Sequence, residues 1–270
     1  MTISQALLFG TIQGVTEFLP ISSSGHLAVA EYFLGQHNIP IIFDISLHLA
    51  TLAAVCIVFY KTIKRLIYTL CRFIIGKHTS ADKNDLNLIL SLLISTAATG
   101  AIGFVLREIV QVKNISIVSI CFTITGILLI GAEHIQLKKR IEKPNFLHAL
   151  IIGIMQGIAV LPGISRSGTT ISVAIALGLQ RDKAGEYSFL LSIPVIIAAF
   201  IFELKSADTE ISAAIEIIPL LIGIASAFII GLFSLLFFMK LIKKGKLSIF
   251  AYYLIPVGSI LFTAVHLFHF

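Results

Sequence analysis

The chain has 270 residues, 57% of them apolar and only 13% charged, and its mean hydropathy is +1.00. That composition excludes a soluble globular domain and points to a polytopic membrane protein with room for about six full spans. The net charge of +6 does not mark a nucleic-acid binder, because the basic residues fall at the ends of apolar runs and not in a patch with interleaved aromatics.

In chain order, the first apolar region runs from Ser4 to Leu34 and is broken at "LPISSSG". It lacks the basic start and small-residue site of a cleavable signal, so it is expected to stay in the protein. Three uninterrupted spans follow, Phe43 to Tyr60, Leu86 to Leu106 and Ile115 to Ala132. A second broken region, Phe146 to Leu179 with "LPGISRSG" at its centre, precedes three more spans, Tyr187 to Phe202, Ala213 to Met239 and Ser248 to Phe268. A Pro–Gly–Ser break frees backbone groups that lipid cannot satisfy, so each broken region reads as a re-entrant pair of half-helices buried in protein, with its tip near mid-membrane. Cys56, Cys71 and Cys121 are scattered through or near apolar segments and read as packing residues.

The cations fix an expected topology. Lys61, Lys64, Arg65, Arg72, Lys77 and Lys83 follow the first span, and Lys138, Lys139, Arg140 and Lys143 follow the third. Arg181 and Lys183 precede the fourth, and Lys240, Lys243, Lys244 and Lys246 follow the fifth, so 16 of the 20 basic residues share one face. By the positive-inside rule that face is cytoplasmic. Arg107, Lys113 and Lys205 fall on the other face, as does the acidic connector Glu203 to Glu210, and both termini are expected outside. Arg166 is the one cation that no membrane boundary explains.

"GTIQGVTEFLPISSSG" (Gly10 to Gly25) aligns without a gap on "GIMQGIAVLPGISRSG" (Gly153 to Gly168), at a constant offset of 143 residues. Each half is then a re-entrant pair plus three spans, and the odd number of crossings inverts the second copy. The predicted fold is a single all-α membrane domain of about ten helices, with repeats covering roughly residues 1–143 and 144–270.

The two breaks carry the chemistry. Gln13 and Glu17 lie four residues apart on one helix face, and Ser22, Ser23, Ser24 and His26 open the next half-helix. The second break supplies Ser165, Arg166, Ser167, Thr169 and Thr170. Gly-Ser loops that open helices gather N–H groups and a positive helix end at one point, and Arg166 adds a planar bidentate donor, so a phosphorylated ligand is the expected occupant. Beside a phosphate, Glu17 calls for a divalent metal or a proton to move, and the serines and His26 are candidate nucleophiles and base. The second copy has Val160, Arg166 and Thr169 where the first has Glu17, Ser23 and His26, which divides a catalytic inventory from an anion clamp. Asp44 and His48 read either as supports for the site or as a solvated interfacial pair. Glu133 with His134 read as interfacial and Glu186 with Arg181 and Asp182 as a solvated helix start, while His266 and His269 carry no assigned role.

At these residues the sequence resembles the undecaprenyl pyrophosphate phosphatase family of membrane enzymes, also associated with bacitracin resistance. "QGVTEFLPISSSGH" and "PGISRSGTT" resemble the two family motifs, and "FDISLHLATL" and "EYSFLLSIP" the segments after each. The resemblance implies hydrolysis of undecaprenyl pyrophosphate to undecaprenyl phosphate and inorganic phosphate, which recycles the lipid carrier for cell-wall polymers such as peptidoglycan. It further implies an outward-facing site in the bacterial plasma membrane, a divalent cation such as Mg or Ca, and a homodimer surrounded by membrane lipids.

Carried over by motif, Gln13 and Glu17 match the (E/Q)-x-x-x-E pair and any metal contact. Ser22, Ser23 and His26 match the loop, and Ser165, Arg166, Ser167 and Thr170 match the phosphate-binding motif. With Gln13 in the first position, Glu17 is the only carboxylate of that helix. Attack by Ser23 with His26 moving the proton, a phosphohistidine on His26, and direct attack by water all remain open. A transporter or lipid-carrier flippase that moves its ligand without hydrolysis is the alternative function.

Overall fold

The computed structural model of the chain describes residues 1–36, 39–110, 114–135, 140–206 and 216–268, without the side chains of 107–110, 203–206 and 268. The side chain of Arg107, Lys113, Lys138, Lys139, the side chain of Lys205, the remainder of the acidic connector, residues 213–215 and His269 therefore lie outside the described residues.

The described residues form eleven α-helices and a short 3-10 turn at Ser80–Asp82, with an isolated parallel bridge between Ile141 and Leu179 in place of any sheet. The helices are α1 (Ile3–Thr16), α2 (Ser23–Phe33), α3 (Ile41–Val58), α4 (Tyr60–Ile74), α5 (Lys83–Val110), α6 (Ile115–His134), α7 (Phe146–Ile158), α8 (Arg166–Ala176), α9 (Arg181–Ser206), α10 (Ile217–Lys243) and α11 (Ser248–Phe268). Six of them, α3, α5, α6, α9, α10 and α11, are long and apolar enough to cross a membrane, and they coincide with the six expected spans. The protein is an all-α, multi-pass membrane protein. The eleventh helix is α4, which carries the basic cluster after the first span and lacks the long apolar run that marks the others.

Helices α1, α2, α7 and α8 have 14, 11, 13 and 11 residues. At about 1.5 Å per residue each stops well short of a hydrocarbon core roughly 30 Å thick, as half-helices must. Shifting the bounds of α2 by 143 residues gives the bounds of α8.

Close helix contacts are made where glycine removes the side chain, because apolar surface alone drives no association in lipid. A Cβ on Gly14 would lie 2.9 Å from the Ala227 carbonyl and the Gly231 nitrogen, and one on Gly10 would collide with Gly223 and Ser226, so α1 lies directly on α10. Gly153 and Gly157, at the same two places in the second copy, bring α7 against Ser95, Thr99 and Ile102 of α5. Ser95 and Thr99 tighten that contact by donating to the Ala149 and Gly153 carbonyls at 2.6 and 3.0 Å. Residue numbers rise together along both pairs, so α1 runs parallel to α10 and α7 parallel to α5.

The basic segments converge on one end of the bundle. There Arg65 pairs with Asp85 at 3.0 Å, Thr62 donates to Glu186 at 3.1 Å, Arg181 donates to the Glu133 carbonyl at 3.1 Å, and Glu133 accepts the Ser248 N–H at 2.6 Å. Since α5 starts at this end and α10 finishes there, α7 enters from it and α1 from the opposite end. The two breaks meet inside, over a core in which Phe189 packs edge-on against Phe18 and Phe238.

Candidate active site

Glu17 caps the C-terminus of α1 and is almost fully buried, yet both carboxylate oxygens are engaged. One accepts from Ser23 Oγ at 2.6 Å and Gln13 Nε2 at 3.1 Å, and the other accepts from Arg166 Nη2 at 2.5 Å. The first break, the second break and the end of α1 thus converge on a single carboxylate.

The bend that makes this possible is at Ser22, the one described non-glycine residue with positive φ (71°). Such a conformation costs about 1–2 kcal/mol for an L-residue. Ser22 caps α2 by accepting the Gly25 N–H at 3.3 Å, and Ser23 follows as the first helical residue, beside Glu17. Ser165 caps α8 in the same way, accepting the Gly168 N–H at 3.0 Å, and Arg166 stands at the position equivalent to Ser23. Two helix N-termini and a guanidinium therefore face one polar cavity of about 150 Å³, which Glu17, Ser22, Ser23, Ser24, Ser165 and Arg166 line.

The remaining residues of the second motif fix α8 from behind. Ser167 Oγ lies 3.3 Å from Ser165 Oγ and donates to the Leu19 carbonyl at 3.4 Å, which ties one break to the other. Thr170 donates to the Arg166 carbonyl at 2.9 Å and shares a hydrogen bond with Ser188 at 2.5 Å. Gln13 is fully buried beneath Glu17, with its Nε2 also 3.5 Å from Thr51 Oγ1.

His26 is not in this cavity. Its Nδ1 bonds the Ser22 carbonyl at 2.8 Å and its Nε2 meets the Tyr253 hydroxyl at 2.8 Å, with the two rings stacked. It lines an apolar groove between α1 and α2 instead. The histidine inside the cavity is His48 of α3, whose Nε2 lies 3.9 Å from Glu17 Oε2. Its Nδ1 sits 3.0 Å from the Asp44 carbonyl, which can only accept, so the neutral ring carries its proton on Nδ1 and leaves Nε2 as an acceptor on the cavity side. Of the Asp44–His48 pair, the histidine belongs to the site and Asp44 supports it, with Oδ1 3.8 Å from Nδ1.

Thr99 and Gln156 also line the cavity and were not singled out by motif. The signal for Gln156 was the repeat itself, since it is the counterpart of Gln13. Both glutamines are buried, and both keep an Oε1 with no hydrogen-bond partner.

Among the described residues no three His, Cys, Asp or Glu side chains cluster as a metal cage would require. Of the two expected metal contacts, Glu17 lines the cavity and offers a carboxylate suited to a hard cation such as Mg²⁺, whereas Gln13 is fully buried beneath it and does not line the cavity.

Residues 6–260 match the family model described as bacitracin resistance protein BacA. The chain belongs to this family. It is 54% identical over 258 residues to an undecaprenyl-diphosphatase of Treponema denticola, an alignment covering 96% of each chain. It is 40% identical to an undecaprenyl-diphosphatase of Borrelia recurrentis, over 97% of this chain and 99% of the relative, and 38% identical to one of Desulforapulum autotrophicum, over 96% and 97%. The BacA match takes in both breaks and all six spans apart from the last residues of α11.

Proposed function

We propose that the protein is an intramembrane phosphatase that hydrolyses undecaprenyl pyrophosphate to undecaprenyl phosphate and inorganic phosphate, recycling the lipid carrier of cell-wall synthesis. The observation that carries this reading is the convergence of Ser23, Glu17 and Arg166. A hydroxyl sits on a carboxylate that can take its proton, beside a guanidinium and two helix N-termini suited to phosphate. Simple anion transport calls for no such hydroxyl–carboxylate pair.

In this mechanism the terminal phosphate enters the cavity and Arg166 turns from Glu17 to its oxygens, joined by the first-turn N–H groups of α8. Ser23 Oγ attacks the terminal phosphorus and passes its proton to Glu17. The bond from that phosphorus to the bridging oxygen breaks, and undecaprenyl phosphate leaves. Water then attacks the phosphoserine, the serine P–O bond breaks, and the proton held on Glu17 returns to Ser23 Oγ as inorganic phosphate departs. A divalent cation, held on the cavity side by the Glu17 carboxylate, would neutralise charge on the pyrophosphate.

The prenyl chain would follow the apolar groove of about 470 Å³ between α1 and α2, lined by Leu8, Ile12, Val15, Val29 and Phe33. Thr16 borders both this groove and the polar cavity, which supports one continuous site for head group and tail. The gathering of basic segments at one end supports a cytoplasmic placement of that end, an inverted repeat with both termini outside, and access for substrate from the outer face of the plasma membrane. A homodimer belongs to this reading through the family resemblance.

The test is inorganic phosphate release from undecaprenyl pyrophosphate by detergent-purified protein, beside folded Ser23→Ala and Glu17→Gln variants. Release by the wild type that both variants lose supports the reading. Translocation of the lipid by well-folded wild type without phosphate release overturns it in favour of a flippase.

A further inference from the structure

Helix α4 has no role in the cavity, and its surface is unlike that of any other helix in the bundle. Its Leu66 and Thr69 are buried, Thr62 bonds Glu186, and Arg65 and Arg72 pair with Asp85 and Asp82 at 3.0 and 3.2 Å, so one face is clamped to the bundle. A second face is apolar and open. Tyr60, Ile67 and Ile74, two turns apart, are 58%, 57% and 73% exposed, with Leu70 beside them. The third face carries Lys61 and Lys64, for which no carboxylate partner is found among the described residues, and Lys64 lies over the Tyr60 ring at 5.9 Å.

Three further observations say what covers the open face. Only Phe59 separates α4 from the spanning helix α3, so α4 starts at the depth where a span leaves the hydrocarbon. Ile57, one turn before Tyr60 and 56% exposed, continues the same strip onto the lipid-facing side of α3. Finally, the stretch from Tyr60 to Asp85 holds six Lys or Arg against two Asp, an excess suited to anionic headgroups. Fifteen residues cannot cross a bilayer, and an apolar strip beside a basic one is the pattern of a helix lying in the interface.

We propose that α4 is an in-plane anchor whose Tyr60–Ile67–Ile74 strip sinks into the acyl boundary while Lys61 and Lys64 bind the headgroups of anionic lipids. The partner is a lipid surface and not another protein, and the inference stands independently of the reaction in the cavity.

The test uses the full chain with its three cysteines replaced by alanine, carrying a nitroxide at Ile67→Cys or Tyr68→Cys, in vesicles of phosphatidylcholine with phosphatidylglycerol. The expected result is a probe at 67 relaxed by oxygen and shielded from a water-soluble nickel chelate, and a probe at 68 with the reverse pattern. Equal access of nickel to both would overturn the anchor, and a probe at 67 shielded from both reagents would show a protein partner there, a second copy of the chain included. In a second arm, lipid retained by purified protein is compared for wild type and Lys61→Gln/Lys64→Gln, with the thermal midpoint as the control of folding. Preference for phosphatidylglycerol over phosphatidylcholine should fall by about five-fold per lysine. An unchanged preference in a folded double variant rules out headgroup binding by these lysines.

Discussion

Arg166 and Glu17, 149 positions apart in sequence, meet at 2.5 Å where the two helix breaks touch. The pair ties the two breaks together and, in the proposed mechanism, is the resting form of the anion site. Arg166→Ala leaves the Glu17 charge buried without its partner, which costs about 3–5 kcal/mol. Phosphate release is therefore expected to fall together with the thermal midpoint. Arg166→Lys keeps the charge but loses the bidentate fork. It should retain the fold and still lose most of the activity. Thermal unfolding and phosphate release on the two variants separate these effects, and an active, stable Arg166→Ala protein would remove Arg166 from the site.

The serines of the first break are not equivalent. Ser23 donates to Glu17 at 2.6 Å, whereas the exposed Ser24 only approaches Ser22 Oγ at 3.4 Å. Ser23→Ala should lower turnover by a factor of at least roughly 10²–10⁴, the usual contribution of a positioned proton transfer alone, and Ser24→Ala should leave it nearly intact. Equal losses in the two would argue that the loop binds substrate as a whole and that water is the nucleophile.

The two histidines make a second contrast. His26 spends both ring nitrogens on the Ser22 carbonyl and the Tyr253 hydroxyl, while His48 keeps Nε2 on the cavity side. Tyr253→Phe removes only the hydrogen bond to His26, so a loss of about 1 kcal/mol in stability with activity largely kept is expected. His48→Ala should reduce phosphate release by at least tenfold, because it strips a polar group from the wall against Glu17. If Tyr253→Phe abolishes turnover while His48→Ala does not, the reacting proton passes through His26.

Much of this was legible in the residues. Six apolar runs gave the six spans because lipid imposes a length and a composition on any crossing helix, and Pro–Gly–Ser clusters located both breaks because they cannot continue a helix. The repeat offset brought Glu17 and Arg166 to one place without any contact being visible. What stayed hidden depends on which way a helix turns once it finds a neighbour. His26 follows Ser23 by three residues yet rotates onto Tyr253 of α11, and His48 gains its place only because α3 lies beside α1. Helix α4 escaped hydropathy because its apolar residues alternate with cations in a helical period instead of forming a run.

Removing the proposed divalent cation should separate activity from folding. A metal cage that contributes to the fold melts when it is stripped, but no cluster of three ligating side chains exists among the described residues, and a Mg²⁺ shared with pyrophosphate is bound chiefly by substrate. Chelator is therefore expected to abolish phosphate release while shifting the thermal midpoint of substrate-free protein by no more than about 1 °C. A large shift in the midpoint would instead reveal a structural ion.

The glycines offer a test of the packing in which one substitution has opposite signs. Gly14 of α1 and Gly157 of α7 sit at equivalent places, and a Cβ on them would press on the backbone of α10 or on the Ile102 side chain of α5. Gly131 of α6 lies in a helix too, but a Cβ there meets nothing within 4 Å. Alanine at Gly131 gains helix propensity worth about 0.5–1 kcal/mol and should raise the thermal midpoint. At Gly14 the same gain is outweighed, because α1 must move off α10, and overpacking of this kind costs roughly 1–3 kcal/mol. Since α1 ends at Glu17, that movement also displaces the carboxylate from Ser23 and Arg166, so Gly14→Ala should lose activity out of proportion to its stability. Thermal unfolding and phosphate release measured on Gly14→Ala, Gly157→Ala and Gly131→Ala decide the matter. A Gly14→Ala protein as stable and active as the wild type would mean that the contact between α1 and α10 does not set the position of Glu17.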